Sequence, residues 1–329
     1  MIDVIGFNKE KNFFINKFKA NKLHHSFILY GQKGIGKKFF IFNLIKQFIK
    51  LSISKNNIEH HFNLIDNFTH PNIKYIRREL DSKSNKLKSY ITIDQIRKLS
   101  NFLYESSSLN NFIKILIIDS ADELNISASN CLLKILEEPK KNTYIFLISH
   151  KISSLLPTIR SRCSKIYFNN HKYDSFKKII MNNNIDINKN HIKFLYDISN
   201  GSPGIALYFN DNEIVEIFKE SIILLSNGSK VNIDSINLSS KIAKFEDDNI
   251  KIYLSLLKFI LLNLSKLKLG INIFNYYISD EIKNLIDVSD NISQETIINK
   301  LEYLIKNEND LFTYNLDKKI FILNFFTEV

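Results

Sequence analysis

Short, unbroken runs of hydrophobic residues mark the first half of the chain. Three such runs lie at residues 25–31, 112–120 and 142–150, and a fourth, weaker run lies near residues 165–168. Apolar runs of four to eight residues that end at glycine or at a polar residue are typical of strands buried on both faces. The pattern therefore predicts four strands.

Helical spacing separates these runs. Apolar residues recur every three or four positions at Phe39, Phe42, Ile45 and Ile49, and again at Leu124, Ala128, Leu132 and Ile135. Pro139 ends the second of these helices. A further helix follows a strand-like start within residues 90–107, with Asp94 as its predicted N-cap. Residues 52–90 are polar and irregular and predict loops. Strands that alternate with helices in this way predict a parallel α/β sheet covered on both faces.

Strand patterns stop after Phe168, and the rest of the chain has helical spacing. The simplest division is an α/β domain at residues 1–168, a small helical domain at 169–226 and a larger helical domain at 227–329. The polar segment 226–235 is the best candidate linker.

The first strand runs into a glycine-rich loop, GQKGIGKK, with the spacing of a phosphate-binding loop. Gly31, Gly34 and Gly36 would let backbone N–H groups approach a phosphate at a helix N-terminus, and Lys37 would reach the outer phosphates. The next position should carry Ser or Thr to hold Mg²⁺, and here it is Lys38. An ammonium group cannot coordinate a metal ion.

A second acidic position follows the second strand. Asp119 lies where a metal-linked carboxylate belongs, but the next residue is Ser120, which is no general base at neutral pH. Lys38 and Ser120 together remove the metal anchor and the base, and they predict a chain that does not hydrolyse nucleotide. Arg160 and Arg162 lie in a basic segment further on, where an arginine can stabilise phosphoryl transfer or simply face solvent.

Charge is unevenly distributed along the 329 residues. The formal net charge is +11; residues 1–168 hold 27 Lys and Arg against 13 Asp and Glu, whereas residues 169–329 hold 18 against 21. The excess in the first half favours an anionic partner such as nucleotide, nucleic acid or an acidic protein.

Other features narrow the class of protein. The N-terminus lacks a signal-peptide pattern, and no apolar run approaches the roughly 20 residues that span a bilayer. Two cysteines, Cys131 and Cys163, predict no disulfide framework, and neither they nor the pair His60 and His61 have zinc-ligand spacing. We therefore expect a cytoplasmic protein with no membrane partner and no structural zinc.

The chain resembles the clamp-loader subunits of bacterial DNA polymerase III, members of the AAA+ ATPases. The resemblance lies in the segments LHHSFILYGQKGIGKK, IDSADELNISASNCLLKILEEPKKNTYIFLISH and LLPTIRSRC. Further segments, including NGSPGIAL, are most similar to the delta-prime family of these subunits. The resemblance covers residues 1–210 and implies an AAA+ sheet domain, a small helical lid and a C-terminal helical collar for oligomerisation.

The resemblance also implies roles for particular residues. Ser161, Arg162 and Cys163 match the family's SRC motif, whose arginine enters the ATP site of an adjacent subunit. Ser149 or His150 would be the polar sensor at a strand end, and Gly204 stands where the family's sensor arginine would be. The implied partners are gamma/tau-like and delta-like clamp-loader subunits, the sliding clamp and primed DNA. No cofactor would be required, although the loop could hold ATP or ADP.

Two alternatives remain open from the sequence. A gamma/tau-type ATPase subunit would need a Ser or Thr after Lys37 and an Asp-Glu pair at residues 119–120, which this chain lacks. A stand-alone, nucleotide-dependent DNA-binding protein is compatible with the basic first half.

Overall fold

The computed structural model of the chain describes residues 4–52, 58–81, 87–104, 113–183, 189–209, 212–226, 232–271, 288 and 290–327. The chain divides into two compact units, Met1–His171 and Lys172–Val329.

The first unit contains a five-stranded sheet. Its strands are β1 (Ser26–Tyr30), β2 (Ile73–Ile76), β3 (Lys114–Ile118), β4 (Thr143–Ser149) and β5 (Ser164–Tyr167). They pair in the order β2-β3-β4-β1-β5, and every pair is parallel. In the central register, Leu29 of β1 lies opposite Ile148 of β4 on one side and Ile166 of β5 on the other. The predicted parallel α/β sheet is confirmed, and the strand β2 was missed within the predicted loop region.

Helices cover both faces of this sheet. They are α1 (Asn8–Lys19), α2 (Lys37–Ser52), α3 (Ile58–Asp66), α4 (Ile93–Tyr104), α5 (Ile126–Glu137) and α6 (Pro157–Arg162), with short 3₁₀ turns at Ala121–Glu123 and Ile152–Ser154. The predicted N-cap Asp94 instead lies inside the first turn of α4. Thr92 precedes that helix, and its backbone N–H donates to the side chain of Gln95 at 3.1 Å.

Alternate strand residues pack into two apolar layers. Phe27 and Leu29 face the layer that contains α1 and α2, whereas Ile28 faces the layer that contains α4 and α5. Because side chains alternate along a strand, a continuous apolar run fills both layers at once. The two layers fix the sheet between the helices and hold its carboxyl edge in place.

The described part of the second unit is helical. Its helices are α7 (Tyr173–Asn182), α8 (Lys189–Ile198), α9 (Pro203–Phe209), α10 (Asn212–Ser226), α11 (Ile233–Ala243), α12 (Asp247–Lys268), α13 (Gln294–Thr313) and α14 (Lys318–Thr327). This confirms the helical character expected after Phe168. Of the predicted linker, residues 227–231 lie outside the described residues, and α11 begins directly after Asn232, which caps it with a reciprocal side-chain bond to Ser235. The division of this half into lid and collar stays a prediction.

Across the residues that the structure describes, none of the helices combines the length and the apolar character needed to cross a bilayer.

Candidate functional site

The strand order brings three chain segments together at the carboxyl edge of the sheet. The glycine-rich loop follows β1, Asp119 follows β3 and His150 follows β4. Because β4 pairs with both β1 and β3, His150 lies between the loop and the acidic segment. Ligands of parallel α/β sheets bind at this edge.

The backbone of the loop requires glycine. Gly31 has φ 152°, and a Cβ atom there would lie 2.3 Å from the carbonyl oxygen of Phe168. Gly34 and Gly36 have φ values of 79° and 95°, a region that side-chain-bearing residues rarely adopt. Helix α2 begins at Lys37, so the loop leads directly into a helix N-terminus, as predicted.

The side chain of Lys37 points into its own loop. Only 3% of the residue is exposed, and its Nζ donates to the carbonyl oxygens of Gly31 and Gln32, both at 2.7 Å, and to Nδ1 of His150 at 3.1 Å. An ammonium group has three hydrogens, so all three are engaged within the chain. Burial lowers the pKa of Lys37 to about 8, although Asp122 and Asp119 partly oppose this shift.

His150 connects Lys37 to the acidic segment. Since Lys37 can only donate, Nδ1 of His150 is the acceptor and the ring proton lies on Nε2, which donates to Ser120 Oγ at 3.1 Å. The backbone N–H of His150 also donates to Asp122 Oδ1 at 2.9 Å. Burial and the neighbouring ammonium lower the pKa of His150 to about 4, so the ring is neutral at pH 7.

This tautomer restricts the chemistry of the site. A histidine that donates to a serine hydroxyl cannot also take its proton, so Ser120 is not activated as a nucleophile. The hydroxyl of Ser120 accepts a hydrogen bond instead, and its residue sits in the left-handed region at φ 60°. Sequence reasoning proposed His150 or Ser149 as a sensor; the structure gives His150 contacts to both sides of the site.

The predicted metal carboxylate also has a partner within the chain. Tyr75, the third residue of β2, donates its hydroxyl to Asp119 Oδ2 at 2.5 Å. The Nζ atom of Lys38 lies 4.7 Å from the ring centroid of Tyr75 and 5.3 Å from that of Phe68. These residues do not fit Mg²⁺, which prefers oxygen ligands in octahedral geometry. Sequence reasoning missed Tyr75 and Phe68.

The pair His60 and His61 lies near a third histidine. His61 Nδ1 lies 3.0 Å from Nε2 of the buried His70. Among the described ranges, no group of three or more His, Cys, Asp and Glu residues is arranged to hold a metal ion.

The three residues of the SRC motif have different environments. Arg162 ends α6, is partly exposed, and pairs with Glu137 through Nη2 at 2.6 Å; its Nη1 donates to the carbonyl oxygen of Thr158 at 3.0 Å. Ser161 is exposed and donates to the same carbonyl oxygen. Cys163 is buried in the α4–α5 layer, and burial raises the pKa of its thiol to about 11, so it packs as an apolar residue.

Arg162 lies at the amino end of β1, whereas the glycine-rich loop follows the carboxyl end of that strand. Ser26 Oγ, at the amino end of β1, donates to the backbone carbonyl oxygen of Arg162 at 2.8 Å. The loop leaves the carboxyl end of the same strand, and five strand residues at about 3.3 Å each separate the two positions by roughly 16 Å. Within one copy of the chain, the backbone of this arginine and this loop therefore lie at opposite ends of β1.

Known proteins are similar in sequence to the first half of this chain. A sequence model of the family described as DNA polymerase III, delta subunit, matches residues 7–172, just over half of the chain. The chain belongs to this family. The matched region ends one residue beyond the first compact unit, so the family assignment rests on the sheet and the segments described above.

Individual relatives match parts of the chain. DNA polymerase III subunit delta' of Pseudomonas aeruginosa is 34% identical over 142 residues, which are 42% of this chain and 41% of that protein. DNA polymerase III subunit gamma of Buchnera aphidicola subsp. Schizaphis graminum is 25% identical over 234 residues, 70% of this chain and 62% of that protein. The chain thus matches less than two thirds of the length of these relatives.

A solved structure aligns over more of the chain at lower identity. The DNA polymerase III gamma subunit-related protein of Thermotoga maritima covers 96% of this chain, which in turn covers 97% of it, with 17% identity and a TM-score of 0.47. This likeness is too remote to bear on function.

Proposed function

We propose that the chain is a delta-prime-like subunit of a DNA polymerase III clamp loader. In this role it helps to load a sliding clamp on primed DNA at the expense of ATP that a neighbouring subunit hydrolyses. Its partners would be gamma/tau-like and delta-like subunits, the clamp and DNA, in the cytoplasm. Family membership and the relatives named delta' support this proposal.

One observation carries the proposed division of labour between subunits. The ammonium of Lys37, the group that would bind phosphate, donates all three of its hydrogens to acceptors of its own chain. Arg162, in contrast, is only partly buried at the amino ends of the strands, where its ion pair with Glu137 is exposed to solvent and can be exchanged for a neighbour's anion. The chain therefore offers a charge to a neighbour while its own loop is closed.

The gamma/tau-type ATPase is the second candidate, because the gamma relative matches the longest stretch of the two described above. Lys38 and Ser120 argue against it. Position 38 carries no hydroxyl that could hold Mg²⁺, and His150 donates to Ser120 rather than leaving a base there. Nucleotide hydrolysis without a metal ion and without a base loses most of its transition-state stabilisation.

ATP turnover distinguishes these candidates. The full chain is purified alone, and its steady-state ATP hydrolysis is measured with Mg²⁺ and primed DNA. We expect no turnover above background, together with a requirement for this chain when clamp loading is reconstituted from all subunits. Sustained turnover by the isolated chain would favour the gamma/tau-type assignment, and loading that proceeds fully without the chain would contradict the proposed role.

A further inference from the structure

The half of the site where a metal ion would be expected contains three side chains from different elements. Lys38 comes from the first turn of α2, Asp119 follows β3, and Tyr75 belongs to the edge strand β2. Phe68, in the turn after α3, completes the group and stacks obliquely on Tyr75 with ring centroids 5.2 Å apart. None of these residues is exposed except Phe68, which covers the group from outside.

The hydroxyl of Tyr75 removes one oxygen of Asp119 from metal chemistry. A distance of 2.5 Å is typical of a charge-assisted O–H···O⁻ bond, which is among the stronger hydrogen bonds in proteins. Burial, the hydrogen bond to Asp119 and its charge all raise the pKa of Tyr75, so the phenol remains a donor at every physiological pH. A metal ion could bind Oδ2 only by competing with the phenol, which leaves Oδ1 as the less encumbered oxygen of this carboxylate.

The ammonium of Lys38 supplies a positive charge to the same place. It lies over the faces of two aromatic rings, where their quadrupoles attract a cation. Burial lowers the pKa of Lys38, and the charge of Asp119 works in the opposite direction, so the two groups interact. Lys38 and Asp119 thus share a partner: the ammonium lies over the ring of Tyr75, and the carboxylate accepts the hydrogen bond of its hydroxyl.

We propose that the chain neutralises this half-site with its own side chains, so that any phosphate compound held by the loop is bound without magnesium. Lys38 replaces the charge of the metal ion, and the phenol of Tyr75 competes with a metal ion for Oδ2 of Asp119. This inference deepens the proposed absence of hydrolysis, but it concerns binding alone. It therefore stands or falls separately from any role in clamp loading.

The test measures how Mg²⁺ changes nucleotide affinity. Equilibrium binding of a fluorescent ADP analogue is followed with excess MgCl₂ or with EDTA, for the full chain and for variants. The natural chain should show the same affinity in both. Lys38→Thr restores a hydroxyl but leaves the phenol on Asp119, so we expect less than a threefold gain from Mg²⁺. Lys38→Thr combined with Tyr75→Phe opens both positions and should bind at least tenfold more tightly with Mg²⁺.

Controls link the gain to the named groups. Asp119→Asn added to the double variant should abolish the effect of Mg²⁺, and Lys46→Thr, a lysine change further along α2, should not create one. Thermal melting checks that each variant folds; Tyr75→Phe keeps the ring and thus the packing. The inference is overturned if the natural chain binds more tightly with Mg²⁺, if Lys38→Thr alone gains as much as the double variant, or if the folded double variant gains nothing.

Discussion

His150 holds the glycine-rich loop closed, and its removal should open the loop to anions. Lys37 can reach a bound phosphate only after leaving its three acceptors, one of which is Nδ1 of His150 at 3.1 Å. In His150→Ala this acceptor is absent, while the carbonyl oxygens of Gly31 and Gln32 remain. Releasing Lys37 then requires the loss of two hydrogen bonds instead of three.

The magnitude follows from the charge and burial of Lys37. A hydrogen bond to a charged group contributes about 1.5–3 kcal/mol net, and this lysine is 3% exposed, so little solvent screening reduces that value. Each 1.4 kcal/mol corresponds to about tenfold in affinity. We therefore expect His150→Ala to bind pyrophosphate or ADP roughly 10- to 150-fold more tightly than the natural chain.

Isothermal titration at pH 7 in EDTA measures this change. At that pH Lys37 is charged, because burial lowers its pKa only to about 8. His150→Asn retains an acceptor near the same position and serves as the matched control, with a smaller gain than alanine. An unchanged or weaker affinity in a His150→Ala protein that melts normally would refute the reasoning.

Three further predictions concern single interactions. Glu137→Gln frees Arg162 from its ion pair, and partly exposed pairs contribute about 0.2–1 kcal/mol. We therefore expect half-maximal stimulation of a partner ATPase at a concentration of this chain that is up to about fivefold lower. A loss of stimulation would instead show that Glu137 orients the arginine. Burial lowers the pKa of Lys300 from 10.5 to about 8, so the unfolded chain binds more protons between these values and stability rises with pH across that window, by about 3 kcal/mol for this group. Urea unfolding of Lys300→Met from pH 7 to 10 should show a flatter rise than the natural chain, and an identical slope would exclude this lysine as its source. Asn125→Ala removes the N-cap bond to the backbone N–H of Ala128, so urea unfolding should show a loss of about 1 kcal/mol, whereas an unchanged midpoint would mean that α5 does not depend on this cap.

The sheet could be predicted from the sequence because its inner strands are continuous apolar runs. Strands β1, β3 and β4 are buried on both faces, and this burial requires the unbroken hydrophobic segments by which they were found. The strand β2 lies at the edge of the sheet, where only Ile73 is fully buried. Its polar alternation within the segment HPNIKYIRREL resembles a loop, so the strand and its Tyr75 were missed together.

The positions of the loop and acidic residues were also predictable, but their contacts were not. Spacing alone identified Gly31, Lys37 and Asp119, since each directly follows a strand or begins a helix. The bond from Lys37 to His150 joins residues 113 positions apart, and the bond from Tyr75 to Asp119 joins residues 44 positions apart. Such pairs depend on the order of strands in the sheet, which the hydrophobic pattern does not specify.

The three residues of the SRC motif differ in how far their side chains are buried. Sequence similarity grouped Ser161, Arg162 and Cys163, yet the helix end at Arg162 places one side chain at the surface and the next in the core. The partner of Arg162, Glu137, belongs to a different helix and was not singled out by any pattern.

We propose above all that Arg162 acts on the ATP of a neighbouring subunit. The most direct test compares the natural chain with Arg162→Ala in a complex reconstituted with an ATPase-bearing clamp-loader subunit, with Lys165→Ala as the control for loss of a nearby exposed cation. Arginine fingers contribute roughly 10³–10⁵ to kcat, so single-turnover hydrolysis at the adjacent site should fall by about a hundredfold or more while assembly and the control remain normal. Full hydrolysis at that site in an assembled Arg162→Ala complex would contradict the claim.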